Sequence, residues 1–243
     1  MNAKTKEKLA LSTGERADYE MSVSQYYNSL DGTRYRVTDE NRNKIYEIMK
    51  NDIAHYSKEE EISILRMPTP VDGISTMGAG DFYDDSSLYF SAFIEKIGVK
   101  TSVYKYIAFL DFSWKSWPQF TEKDSIALAW DDKFTGMKNT LSKYYNLGDQ
   151  SFKDISSNMT ASNEMHGIKA RFLLFPSKTL GGISTELAVS ERHLGDYGSF
   201  QAAYVHSLIP FTGGVSIGPA SIDVPTSWLS QEFRLDFNLK IGY

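Results

Sequence analysis

The chain has 243 residues, 41% of them hydrophobic, with 14 Phe, 15 Tyr and 4 Trp. That is enough apolar and aromatic material for a packed core and excludes a disordered protein. A net charge of −5 without a long basic run argues against nucleic-acid binding as the main task. No apolar run approaches the roughly 20 residues of a membrane-crossing helix. The absence of cysteine excludes disulfides, thiolate metal sites, iron–sulfur clusters and cysteine nucleophiles together.

Residues 1–24 show no period and read as a flexible leader, with a single β-rich domain expected over 25–243. Met1 to Lys8 is polar and charged, with no apolar signal core behind it. Asp31-Gly32 marks a turn. Thr38 reads as a helix N-cap, with Asp39 and Glu40 in the first turn, where the dipole favours negative charge. Ile45, Ile48, Met49, Ile53 and Tyr56 follow helical spacing, which predicts an amphipathic helix over 39–56. A short strand over 62–67 is expected to stop at Pro68 and Pro70.

Beyond Pro70, strand signals dominate: Leu88–Ile97, Val103–Phe112, Ser125–Trp130, Ile168–Phe175, Ile183–Ser190 and Phe200–Ile209. Residues 133–153 are ambiguous, with a helical turn expected near Leu141–Tyr145, and 154–164 reads as a polar loop. In Val103–Phe112 both faces are apolar, as in a strand buried on both sides. From Phe233 to Tyr243 a strict period of two predicts a half-buried strand with one wet face bearing Arg234, Asp236, Asn238 and Lys240. Short strands between turns, with one helix in front, predict a mainly β fold: an antiparallel β-sandwich or barrel-like body. Gly73-Ile74-Ser75-Thr76 is echoed by Gly182-Ile183-Ser184-Thr185, too short a match to establish a repeat.

The chemistry is less legible than the fold. Gly214-Val215-Ser216-Ile217-Gly218 has nucleophile-elbow spacing, but no helix follows and no His lies beyond His206, so it reads as a glycine-rich loop. His55, His166, His193 and His206 are not paired at metal-ligand spacing. Asp81, Asp84 and Asp85 share one loop and are hard oxygen donors suited to calcium, the one ion the sequence suggests; acidic turns are also common without a metal. No cofactor is expected otherwise. The same acids, with Asp131 and Asp132, could supply the carboxylate pair of a polysaccharide or wall hydrolase. Aromatics cluster from Tyr104 to Trp130. Trp114 and Trp117, with Tyr106 nearby, are candidates for a stacking platform for a glycan or wall polymer, against the plainer reading of a bulky core. Residues 183–209 alternate with small residues, so a pore-forming or membrane-active protein with a detachable hairpin is a further alternative.

One segment resembles part of uncharacterised exported β-rich proteins of Gram-positive bacteria. It covers residues 106–130, with Phe112-Ser113-Trp114, Trp117-Pro118 and Asp124-Ser125-Ile126-Ala127-Leu128-Ala129-Trp130. The resemblance implies export and a β-rich body, and no catalytic residues. The reading adopted is a non-enzymatic interaction protein, secreted or on the cell surface, with an unknown extracellular ligand; a cytoplasmic location stays open.

Overall fold

The computed structural model describes residues 21–59, 82–84, 88–100, 102–116, 118, 122–137, 139–148 and 153–242. The expected 62–67 strand, the first copy of the short echo, Asp81, Asp85 and Trp117 lie outside these residues. The chain forms a mainly β, antiparallel sandwich with one α-helix.

Sixteen strands are described: β1 (Met21–Asn28), β2 (Arg34–Val37), β3 (Phe82–Asp84), β4 (Leu88–Lys100), β5 (Val103–Trp114), β6 (Lys123–Trp130), β7 (Phe134–Gly136), β8 (Ser142–Leu147), β9 (Lys153–Asp154), β10 (Met159–Glu164), β11 (Gly167–Leu173), β12 (Thr179–Ser190), β13 (Tyr197–Ser207), β14 (Ser216–Gly218), β15 (Ser221–Asp223) and β16 (Ser230–Lys240). Sheet I has the order β10-β11-β6-β13-β16-β1-β2; sheet II has the order β3-β4-β5-β12-β8-β9, with β7 also on β12.

The period-two pattern explains the core. Phe233, Leu235, Phe237 and Leu239 of β16 are all buried, and with Ile126, Leu128 and Trp130 of β6 they face sheet II. From sheet II, Tyr106, Ala108, Leu110, Phe112 and Trp114 of β5 fill the same space. Aromatic pairs tie the layers: Phe112 of β5 stacks on Phe172 of β11 with centroids 4.5 Å apart. On the other face of β5, Ile107 and Phe109 are also 2% and 8% exposed, so the middle of this strand is buried on both sides, while Lys105, Asp111 and Ser113 on that face are half-buried.

The face of β16 expected to be wet is so only in part: Asp236, Asn238 and Lys240 are half-buried, whereas Arg234 is buried. A strap over 211–228, including the β14–β15 hairpin, covers the outer face of sheet I over β6 and β13. Val215, Ile222 and Trp228 pack there against Ala127, Ala129, Ala203 and Val205. Alternation of large and small residues in β6 makes this possible: Ile126, Leu128 and Trp130 fill the interior, while the alanines between them let the strap approach closely. Polar bonds hold it. Arg234 donates to the Ile222 carbonyl and Gln201 Oε1 at 2.6 Å each, and Arg171 donates to the carbonyls of Phe211 and Thr212. Glu232, fully buried, takes both Arg34 and Arg234.

Helix α1 (Arg42–Glu59) buries Ile45, Met49 and Ile53 against Tyr27, Leu208, Ile209 and Leu229. Its entry is a capping arrangement: the Arg42 N–H bonds the Thr38 carbonyl, while Asn41 Oδ1 accepts from the Thr38 N–H at 2.8 Å. The helix therefore starts three residues later than Thr38-Asp39 suggested. Register places Tyr27 opposite Gln231, on the same side as Phe233, and Gln231 touches Met49. The helix thus prolongs the layer of sheet II over the β1–β2 edge.

Four expectations need correction. Met21–Ser24, assigned to the leader, belong to β1 and pair with β16. The helical turn at Leu141–Tyr145 is strand β8, bonded to β12 through six residue pairs. The 154–164 loop contains a 3-10 turn and strand β10. Residues 183–209 do not pair with each other as the hairpin considered above. They comprise most of β12 and all of β13, interior strands of two different sheets, each bonded on both sides.

Two glycines sit side by side in β12, one for each face. A Cβ on Gly181 would meet the Phe112 ring at 2.8 Å; one on Gly182 would meet Asp111 Oδ1 at 2.2 Å and the Leu110 carbonyl at 2.6 Å. Gly182 leaves room for Tyr144 of β8 to reach across β12 and donate to Asp111 of β5 at 2.8 Å. Gly182→Ala is expected to destabilise the fold by about 1–3 kcal/mol, the usual cost of overpacking; thermal denaturation of the two proteins measures it.

Candidate functional site

Among the described residues, a buried polar cluster lies where β5, β6 and β13 meet at one end of the sandwich. Asp124, fully buried at the start of β6, accepts from the Tyr204 hydroxyl at 2.6 Å and from the Ser207 N–H at 3.0 Å. His206 Nδ1 lies 3.0 Å from Asp124 Oδ2. A carboxylate only accepts, so this ring nitrogen carries the proton. Trp114 completes the cluster, its indole N–H donating to the Tyr204 oxygen at 2.8 Å. Ser207 extends it: its hydroxyl accepts from the Trp228 indole at 2.6 Å and donates to the Ile209 carbonyl.

The sequence explains the placement. Tyr204 and Ile126 are register partners on adjacent strands, as are Val205 and Ser125, which brings the β13 end beside Asp124. Trp114 ends β5, whose inward face continues from Tyr106 through Phe112. Burial, and then the Asp124 charge, raise the Tyr204 phenol well above its ordinary range, so it stays a donor at every accessible pH. The cluster has the parts of an Asp–His dyad, but it is enclosed: Tyr204 is 0% exposed, His206 4% and Trp114 8%. Its chemistry is hydrogen bonding among its own members.

The candidate residues from the sequence are dispersed. Trp114 is in this cluster, beside the His206 ring at 5.0 Å, and not on the surface; its burial removes it as an open stacking face. Tyr106 is fully buried eight residues back along β5, about 27 Å away at strand rise. Its hydroxyl accepts from the Gly242 N–H at 2.7 Å. Asp84 is in β3. Asp131 closes a turn, accepting from the Ser199 N–H and from both nitrogens of Lys133 at 3.0 Å each. Asp132 lies 3.4 Å from His166 Nδ1. Among the described residues no group of three or more His, Asp or Glu is arranged to hold a metal ion. Ser216, centre of the glycine-rich motif, lies in β14 of a two-stranded hairpin. Asp124 and His206 were missed because 82 residues separate them. The available signal was a histidine inside the apolar run Ala202–Ile209, which needs a buried polar partner.

A second acid, half-buried, stands on the far face of sheet II. Withdrawal from water pushes the Asp111 carboxyl up to about 6, against the opposing effect of the Tyr144 hydrogen bond. Burial, followed by the charge and hydrogen bond of Asp111, raises the Tyr144 phenol in turn.

No helix among the described residues is long and apolar enough to cross a membrane. No protein-family model matches the chain, and no curated protein matches it. Among solved structures, it is similar to the pilus backbone RrgB of Streptococcus pneumoniae, with 7% identity and a TM-score of 0.32 over 42% of this chain and 24% of that one. The collagen-binding subdomain of the Enterococcus faecalis surface protein ACE matches with 14% identity and a TM-score of 0.33, over 47% of this chain and 84% of that one. The Corynebacterium diphtheriae major pilin SpaA matches with 12% identity and a TM-score of 0.36, over 59% of this chain and 36% of that one. The chain thus spans well under half of the two pilins it matches. These neighbours are Gram-positive surface pilin and adhesin domains; likenesses this weak and partial assign no activity.

Removing the Asp124 acceptor strands three donors in a dry interior. Asp124→Ala is expected to cost about 3–5 kcal/mol, and Tyr204→Phe about 1–3 kcal/mol. Denaturant unfolding of both, and of the double variant, should give strongly non-additive losses. For Asp111 the folded-state value lies above the unfolded one of 3.8. Its contribution is therefore fully present below about pH 4 and is lost as pH rises through about 6. Relative to Asp111→Asn, the native protein should lose about 2–3 kcal/mol of stability between pH 4 and 7, read from paired unfolding curves.

Proposed function

We propose that the protein is a non-enzymatic interaction protein that works outside the cell or on its surface. The observation that carries this reading is the closure of the Asp124–His206 cluster. The one described place where acid, imidazole, phenol and indole converge has its hydrogen bonds turned inward, joining strands. A reacting molecule would have to displace Trp114 or Tyr204 from the core to reach it. Two of the five acids considered for hydrolysis support the same reading: Asp131 is bound up in its own turn, and Asp132 faces His166. The resemblance of residues 106–130 to exported Gram-positive proteins fits the location.

The glycan platform is not retained at Trp114. A ligand surface must lie elsewhere on the exterior, and collagen and wall polysaccharide are the first probes. The test is binding of the full chain to each immobilised polymer, alongside assay of soluble fragments released from it. Saturable binding without product is expected, unchanged by Asp131→Asn. Product formation abolished by that substitution would make the protein a hydrolase and overturn the proposal.

A further inference from the structure

The edge of a β-sheet exposes the backbone groups that face away from its neighbour, and proteins usually blunt such edges. Sheet II ends in strands of three and two residues, β3 and β9. At one border of sheet I, β2 carries Arg34 and Arg36, and Asn41 takes the Arg36 carbonyl and the Thr38 N–H. The other border is β10, six residues long, with neither a proline nor a basic side chain. It bonds β11 and no other described strand.

The hairpin register shows which of its groups face outward. Glu164 and Gly167 flank a two-residue turn and so exchange both backbone bonds. Thr160, Ser162 and Glu164 therefore point their N–H and C=O groups at β11, and Met159, Ala161 and Asn163 point theirs away. Met159 is already occupied: its N–H bonds the Ser156 carbonyl, and its own carbonyl accepts from Lys143 Nζ. The outward groups of Ala161 and Asn163 take no partner among the described residues, and Thr160 and Asn163 are exposed.

Two donors and two acceptors in this order are self-complementary. A second copy laid antiparallel about a two-fold axis at Ser162 puts Ala161 opposite Asn163 of the partner subunit, and Asn163 opposite the partner's Ala161. That register uses every open group of both chains. A two-fold at Ala161 would instead set Asn163 against Met159 of the partner subunit, whose groups are taken. On the outer face Ser162 meets its own copy and Thr160 meets Glu164 of the partner subunit, so no like charges oppose each other. Glu164 is already answered within its own chain by Lys169 at 3.2 Å and by the Ser162 hydroxyl at 3.0 Å. Any extended strand could bond these groups; what favours a second copy is that its side chains fit the register without a charge conflict.

We infer that β10 is a dimerisation edge, through which two copies join their first sheets into one continuous sheet. A short ladder makes a small interface, so the dimer is weak and depends on protein concentration. The inference does not rest on the interaction role proposed above and stands if that role fails.

The test is sedimentation equilibrium of the full chain across a wide concentration range, where a reversible monomer–dimer equilibrium is expected. Ser162→Glu and Ser162→Lys each set like charges together at the axis and should raise the dissociation constant about fivefold at low salt. Mixing the two variants should restore association, because opposite charges then meet. Ala161→Pro removes an outward N–H without touching the bonds to β11, so it should abolish pairing while the chain stays folded. A native chain that remains monomeric at every concentration overturns the inference. So does a dimer undiminished by all three substitutions, or a failure of the two charge variants to associate when mixed although both are folded.

Discussion

One buried carboxylate fixes the geometry on which both sheets depend. Asp124 is held by a phenol, an imidazole and a backbone N–H from β13, and the phenol in turn holds the indole that ends β5. Hydrophobic burial drives these layers together but has no direction. A β-strand could slide by two residues and still present apolar groups to the core. The hydrogen bonds to Asp124 and Tyr204 allow only one alignment. They cross between β6 and β13 within sheet I and between the layers at Trp114, so register and layer spacing are fixed at the same place.

The same device recurs on the other faces. Glu232 and Arg234 anchor the strap over the outer face of sheet I, where the alanines of β6 and β13 permit close approach. Asp111 and Tyr144 bridge three strands of sheet II over the space left by Gly182. Each pairs a residue of high desolvation cost with a strand position lacking bulk. Losing one partner leaves the other unsatisfied in a dry setting, so such clusters specify a structure more than they add net stability.

Much of the fold was legible because it rests on local patterns. The alternation from Phe233 to Ile241, the aromatic strand at Val103–Trp114 and the helical spacing of Ile45, Met49 and Ile53 each state which face is buried. What was not legible arises between distant segments. Nothing local says that Arg234 lies under a strap 12 residues upstream, or that β8 gains its partner from β12. Lys143, Tyr144 and Tyr145 mix polar and apolar groups without a clean period, because Tyr145 is buried in the core while Tyr144, half-buried on the opposite face, turns its hydroxyl to Asp111. The site was harder still. Trp114 drew attention as an aromatic in a loop-like context, yet its role follows from Tyr204, 90 residues later. Asp124 looked like the polar flank of a strand, whereas its carboxylate points inward.

The pairing of β1 with β16 has a mechanical consequence. These strands are antiparallel neighbours, with Met21 opposite Phe237 and Asn28 opposite Ser230. The residues through which the chain enters β1 and leaves β16 are therefore at the same end of the ladder. Tension applied between them would not shear all eight pairs together. It would peel the strands apart from that end, loading one pair after another, and the sandwich would yield at low force despite its dense interior.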